Sequence, residues 1–296
     1  MFRDTVLIRP PCEASSVIIG MTEGCTWNRC RFCGVYSNGI QNYRIRPLES
    51  IMADIDDARH LLGRGARRVF LAGGNALSAP TDLWINVLEH LLSTFPRLEQ
   101  VSCYAKNHDI LKKSSDDLET IAHAGPGLKI VYMGLESGSN AVLKYMRKGT
   151  TATGMLRAAR KIMAAGIQLS AYVILGLGDH LFQDHAIETA RLLTEMNPDY
   201  IRFRSLNFIP NADLYRDWQA GAFTPLRPVE ILEEQVRILK ELGPNVMSHV
   251  LNDHISNPVY FDGKLPHDRE HIVAALERAI SSPEMQSLQH ANRVTM

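Results

Sequence analysis

The chain has 296 residues, 45% hydrophobic and 22% charged, a composition that suits one large globular domain or two small ones. Lys plus Arg and Asp plus Glu each total 32, so the formal charge is zero with histidine neutral, and no basic excess signals nucleic acid. No apolar run approaches the roughly 18 residues of a membrane span, and the opening MFRDTVLIRPP lacks the charged and apolar regions of a secretory signal. These features predict a cytoplasmic protein that does not enter a membrane.

In chain order, short apolar runs rich in β-branched and aromatic residues predict six strands: 16–21, 68–73, 100–105, 129–135, 169–177 and 200–208. Near-continuous apolarity is the mark of strands buried on both faces, as in parallel sheets. Amphipathic helix patterns lie between them. In 48–63 the stripe is Ile51, Ile55, Ala58 and Leu62, and in 151–165 it is Met155, Ala159, Ile162 and Met163. In 183–197 it is Ala186, Ala190 and Leu193, and 81–94 begins at Pro80-Thr81. Six βα units mean an α/β fold with right-handed crossovers, either a doubly wound sheet or a partial (β/α)6 barrel. After residue 210 the patterns give helices at 228–242 and 267–281 and a strand near 246–250, and 283–296 shows no pattern.

The chemistry-bearing stretch directly follows the first strand: Gly24-Cys25-Thr26-Trp27-Asn28-Arg29-Cys30-Arg31-Phe32-Cys33-Gly34. Ligands in parallel α/β folds bind at this carboxyl edge of the strands. Three of five cysteines within nine residues make a poor disulfide framework and a good metal site. Three thiolates suit a cubane cluster whose fourth iron stays open to substrate. A plant-type [2Fe–2S] centre starts with the same spacing but needs a fourth cysteine, and the next is Cys103. Zinc needs a fourth ligand, and the loop holds no histidine. Chance clustering, a non-catalytic iron–sulfur electron carrier and a zinc-stabilised α/β protein are the competing readings.

With Phe32 just before the last cysteine, this loop resembles that of the radical S-adenosylmethionine (SAM) superfamily. The gap Thr26-Trp27-Asn28-Arg29 is one residue longer than in most members. The resemblance implies a TIM-like partial barrel, a [4Fe–4S] cluster on Cys25, Cys30 and Cys33, and SAM. It further implies an oxygen-sensitive enzyme that uses a flavodoxin- or ferredoxin-type reductant. That enzyme cleaves SAM to a 5′-deoxyadenosyl radical, which takes hydrogen from an unidentified substrate. Gly73-Gly74-Asn75 is similar to the Gly-Gly-Glu-like turn that holds the amino group of SAM, with Asn75 in place of the acid. Gly134-Leu135-Glu136-Ser137 is similar to the Gly-x-Glu-Ser segment of members resembling anaerobic coproporphyrinogen oxidases and the cobalamin-associated group. Glu136 is then a SAM contact, and Ser137 a contact or a helix cap. The strand 171–179 resembles the segment that packs against adenine.

Two further strands offer polar ends. Ser102 and Tyr104 share one face of the third, with Cys103 turned away as a buried, inert thiol. Arg202 and Arg204 share one face of the sixth, where a SAM carboxylate, an anionic substrate or an internal carboxylate must meet them. The expected organisation is an N-terminal segment 1–13, a barrel 14–210, an α-rich extension 211–282 and a tail 283–296. The chain leaves no room for a cobalamin domain in this reading. The extension carries His249, Asn252, Asp253, His254 and Asn257, expected either to select substrate or to be a solvated polar loop, with His249 and Asp253 on one face if helical.

Overall fold

The computed structural model describes residues 6–36, 42–182 and 184–290. Its main sheet has eight strands: β1 Val17–Gly20, β2 Arg68–Ala72, β3 Gln100–Ala105, β4 Leu128–Glu136, β5 Gln168–Leu175, β6 Tyr200–Ser205, β7 His249–Leu251 and β8 Asp262–Lys264. They are hydrogen-bonded in that order, β1 through β8. The pairs β1–β2, β2–β3, β3–β4, β5–β6 and β6–β7 are parallel, and β7–β8 is antiparallel. A doubly wound sheet reverses its order at a switch point. An order that only advances is that of a partial barrel, and it decides between the two α/β readings. The C-terminal segment adds two short strands as well as helices. Among the described residues no helix is long and apolar enough to cross a membrane.

Two compact units divide the chain. The first comprises Met1–Asn28, Tyr36–Met133 and Arg157–Leu169. Its core joins Val69, Phe70 and Leu71 of β2, Val101 and Cys103 of β3, and Val131 of β4 to helix residues Ile51, Ile55, Trp84, Leu88 and Leu91, all fully buried. Each such side chain contributes roughly 1.5–3 kcal/mol by leaving water. The helix Leu48–Leu62 keeps only part of its expected stripe, because Leu62 in the last turn is 61% exposed.

The second unit comprises Arg29–Val35, Gly134–Leu156 and Ser170–Met296. It holds a core of Phe32, Val142, Met146, Ile174, Leu177, Leu206, Phe208, Leu214 and Phe223. The helices His185–Met196, Pro228–Glu241 and Arg269–Ile280 match the apolar periodicity. The short helices Asn107–Lys112, Ser115–His123, Asn140–Tyr145 and Asp213–Gln219 were not expected, since one or two turns carry too little periodicity to read. Ser114 and Asp117 do form a capping box at the second of these, a signal present in the sequence. Part of the patternless tail is also helical: Pro283–Ser287, capped by Ser282. Residues 291–296 lie outside the described residues.

One buried charge organises the first unit. Glu13, fully buried, accepts hydrogen bonds from Gln100 Nε2 at 2.8 Å, Ser102 Oγ at 2.8 Å, Tyr132 Oη at 2.7 Å and the Ser16 hydroxyl. Arg68 completes the charge balance at 3.1 Å. A buried carboxylate is tolerated when every lone pair is met in this way. Glu13→Ala is expected to lower unfolding free energy by about 3 kcal/mol, the cost of orphaning buried partners of a charge. Urea unfolding measures it, and a loss below about 1 kcal/mol would refute the central role of Glu13.

Candidate active site

The loop 24–36 forms no helix or strand, so its shape depends on what grips it. In the first unit the grip falls on the Cys25 side. Gly24 sits at φ 63° with Asn42 backbone 2.7 Å from where a Cβ would stand, so only glycine fits. Its carbonyl accepts the Gly74 amide at 3.0 Å. A Cβ on Gly74 would collide with that carbonyl and stand 2.9 Å from Cys25 Cβ. The glycine pair at the end of β2 is therefore what lets the cysteine loop lie against it. Asn75, fully buried, accepts from the Thr26 amide at 3.1 Å and donates to Asp109 at 2.8 Å and to the Thr26 hydroxyl. Burial pushes the Asp109 carboxyl up. Asn75 thus ties the loop to β3's trailing helix, and its side chain is consumed in doing so.

Ser102 is likewise consumed, by Glu13. Tyr104, on the same face, remains half-buried, with its ring edge-on to Phe70 at 5.1 Å. Lys106 follows β3 and stands over the Trp27 ring at 4.6 Å, a cation–π contact on the loop that the sequence did not suggest. Cys103 is fully buried and burial pushes its thiol up, so it does not supply a thiolate. Cys12 lies 3.4 Å from the Tyr132 hydroxyl.

In the second unit the grip falls on Cys30 and Cys33. The Arg31 amide donates to the Met146 carbonyl at 3.0 Å, and its carbonyl accepts from Leu214 at 2.8 Å. Its guanidinium reaches the Tyr145 carbonyl at 3.1 Å and Asp217, and lies 4.2 Å from the Tyr145 ring centre. Phe32 is buried in the apolar core, and Cys30 and Cys33 pack against that core from either side of it in sequence. Glu136 ends β4 in the left-handed region, φ 64°, unusual for a residue with a side chain. Lys148 donates to its carboxylate at 2.7 Å, both side chains about one-tenth exposed. The same ammonium stands 5.9 Å from the Phe32 ring. Glu136, Lys148 and the cysteine loop therefore share one framework. Lys148 was missed as a partner, although Lys148-Gly149 marks the end of the following turn. Ser137 is fully buried and accepts from the Ser139 amide at 2.9 Å; Ser139 is the N-cap of the helix Asn140–Tyr145, and neither serine side chain caps it.

The two arginines of β6 part company. Arg202 bonds Asp253 at 2.7 Å and Ser170 Oγ at 3.2 Å, so its carboxylate comes from within the chain. Arg204 has a buried Nε with no hydrogen-bond partner among the described residues. His249 lies in β7, not in a helix, and bonds Asp262 across the antiparallel pair. The helical pairing of His249 with Asp253 is therefore not formed, because β7 continues the sheet there. His254 is half-buried; burial first, then the nearby Arg204 charge, lowers its pKa to about 4. A cavity of about 60 Å³ in this unit is lined by Gly176, Ser205, Asn207, Ile231, Ser256 and His290, of which Gly176 belongs to the 171–179 segment.

This loop-and-glycine architecture has a family. The chain matches the Radical SAM superfamily over residues 19–193, more than half its length. It belongs to that superfamily. It is 23% identical over 256 residues to the threonylcarbamoyladenosine tRNA methylthiotransferase MtaB of Rickettsia prowazekii, covering 83% of this chain and 56% of that protein. It is 30% identical over 177 residues to the tRNA-2-methylthio-N(6)-dimethylallyladenosine synthase of Fusobacterium nucleatum, covering 56% of this chain and 38% of that one. The chain thus spans about half or less of the length of these relatives. Among solved structures it resembles methylornithine synthase (PylB), with TM-score 0.56, 14% identity and coverage of 93% of this chain and 82% of that one. TsrM from Kitasatospora setae matches with TM-score 0.54, 16% identity and coverage of 91% and 53%. Both are likenesses of fold.

Members of the superfamily bind a [4Fe–4S] cluster and SAM, and this chain is a radical SAM enzyme with those cofactors. The residues present fit. Cys25, Cys30 and Cys33 are partly exposed and in no disulfide. Among the described residues no three His, Cys, Asp or Glu converge on a single-ion site. Zinc would need donors about 2.3 Å from one point, whereas a cubane offers each thiolate a separate iron.

Two outcomes follow. Gly74→Ala is expected to push the loop off β2 and reduce bound iron at least severalfold after anaerobic reconstitution, with the secondary structure intact by circular dichroism. A histidine whose folded pKa lies below its unfolded 6.5 holds fewer protons when folded. Stability is then greatest above pH 6.5 and is lost as pH falls from 6.5 toward 4. His254→Gln is expected to flatten that part of the urea-unfolding pH profile, and an unchanged slope would refute the assignment.

Proposed function

We propose that Cys25, Cys30 and Cys33 ligate the cluster and that this chain cleaves SAM reductively to act on a substrate by hydrogen-atom abstraction. The reading rests above all on Lys148, which holds the Glu136 carboxylate at 2.7 Å while standing over Phe32 of the cysteine loop. An acid fixed beside the loop suits recognition of SAM's ammonium or ribose hydroxyls. When bound, cluster and SAM supply a one-electron cleavage that yields a 5′-deoxyadenosyl radical.

The chain's own residues bind and orient. The backbone at Gly73 and Gly74, the Tyr104 ring and the Glu136 carboxylate are the SAM contacts in this proposal. Asn75 and Ser102 serve instead as supports, since their side chains already have internal partners. Ser137 supports the turn after β4, and Arg202 holds Asp253. The apolar core around Phe32 packs against Cys30 and Cys33, which stay partly exposed. A flavodoxin- or ferredoxin-type protein supplies the electron, and three cysteines outside any disulfide suit the reducing cytoplasm.

Anaerobically reconstituted protein is expected to hold about four irons per chain and to form 5′-deoxyadenosine from SAM on reduction. Cys25→Ala, Cys30→Ala and Cys33→Ala each lose the iron, while Cys12→Ala and Cys103→Ala keep it. Iron lost with Cys12 or Cys103 would overturn the ligand set. Glu136→Ala is expected to weaken SAM binding by about 1.5–3 kcal/mol, the contribution of hydrogen bonds to a charged group. Unchanged affinity would leave Glu136 as the partner of Lys148 alone.

A further inference from the structure

Among the described residues, Arg204 has no carboxylate partner. Its neighbour on the same face of β6, Arg202, takes the only carboxylate of the 252–257 segment, Asp253. Arg204 has no hydrogen bond or ion pair among the described residues, and its Nε is cut off from water. A buried N–H donor without a partner costs free energy that a bound anion would offset, and the side chain as a whole is only partly buried, open to such an anion.

The segment facing it is built rather than loose. The Ser205 amide donates to Ser256 Oγ at 3.0 Å and to Asn257 Oδ1 at 2.8 Å, and Asn257 Nδ2 donates to the Phe203 carbonyl at 2.9 Å. Asn252 donates from its backbone to Phe261 at 3.0 Å. Asn252, Ser256 and Asn257 are all buried. This frame fixes the ring of His254. The Ser256 amide donates to His254 Nδ1 at 3.1 Å, and the Ser256 hydroxyl lies 2.7 Å from the same nitrogen. Nδ1 is therefore the bare acceptor, and Nε2 carries the proton of the neutral ring. The result is a neutral imidazole with a fixed N–H donor, close enough to Arg204 for that charge to help lower its pKa.

These residues also lie outside the stretch that the superfamily shares, which ends at 193. We propose that Arg204 and His254 Nε2–H form a seat for an oxyanion, a carboxylate or phosphate, on the enzyme's substrate, separate from the SAM site. The inference rests on the radical SAM reading only for calling that anion's owner the substrate. A guanidinium fork binds either anion through paired N–H donors, and the neutral imidazole adds a directional one.

The test uses the reconstituted full chain and two probes, inorganic phosphate and acetate, at ionic strength held constant with chloride. Binding is read from the rise in melting temperature with probe concentration. Saturable binding of at least one probe is expected, at least tenfold weaker in Arg204→Gln and severalfold weaker in His254→Ala, and unchanged in His249→Gln, whose residue pairs with Asp262. Saturating SAM should leave the probe's affinity as it was. The preferred probe identifies the substrate anion as phosphate or carboxylate. Failure of both probes to bind saturably overturns the seat, as does equal binding by parent and Arg204→Gln. Displacement of the probe by SAM overturns its assignment to substrate and gives the arginine to SAM's own carboxylate. Should Arg204→Gln fail to fold, Arg204→Lys replaces it: it keeps the charge without the fork, and undiminished affinity there overturns the seat. Iron content and 5′-deoxyadenosine formation, measured on the same parent sample, fail separately if the radical SAM reading itself is at fault.

Discussion

A stretch of thirteen residues without helix or strand must hold three thiols in fixed positions, and the surrounding structure is arranged to satisfy its backbone. Such a loop has no hydrogen-bond ladder of its own, so its amides and carbonyls must find partners elsewhere or be left unsatisfied. Near Cys25 those partners are the Gly74 amide and the Asn75 Oδ1, while the Asn75 Nδ2 holds the Thr26 hydroxyl. Near Cys30 and Cys33 they are Met146 and Leu214, on either side of Arg31. The gap between Cys25 and Cys30 holds four residues, one more than in most members of the superfamily. Within that gap Asn28 adopts φ 47° and its side chain donates to the Tyr36 carbonyl at 2.8 Å.

The same economy governs charge. Parallel strands buried on both faces tolerate ionised groups only in pairs or networks. Glu13 is answered by Arg68 and four neutral donors, Glu136 by Lys148, and Arg202 by Asp253. Each resolution removes a residue from the pool that can bind a ligand through its full charge, or fixes that residue for a ligand to use. Glu136 is of the second kind: its left-handed backbone holds the carboxylate against Lys148, and no Cβ at Gly134 intrudes on the pair. Non-glycine residues are kept in that region when the surroundings enforce it, often at functional sites. Arg204 is the exception to the pairing rule in this set, which is why it attracts a functional explanation.

Much was legible in the sequence because it is local. Strand and helix positions follow from runs and stripes a few residues long, and the six expected strands all form. The cysteine loop follows from spacing and residue chemistry alone. The glycines of the β2 turn were legible as glycines, but their task was not: they were read as a backbone approach to SAM, and they also admit the Cys25 loop. Short helices and the last turn of Leu48–Leu62 were misread, since periodicity is weak over one or two turns.

What the sequence by itself determined is the class of chemistry: three close thiols, alternating β and α patterns, and polar residues at strand ends. Tertiary structure decided which of those polar residues are spoken for. Ser102 and Glu13 are 89 residues apart, Asn75 and Asp109 are 34 apart, and Arg202 and Asp253 are 51 apart. No local pattern encodes which carboxylate a buried donor will meet across such distances. That choice is made when the strands align in one order and each buried charge must find an answer within reach.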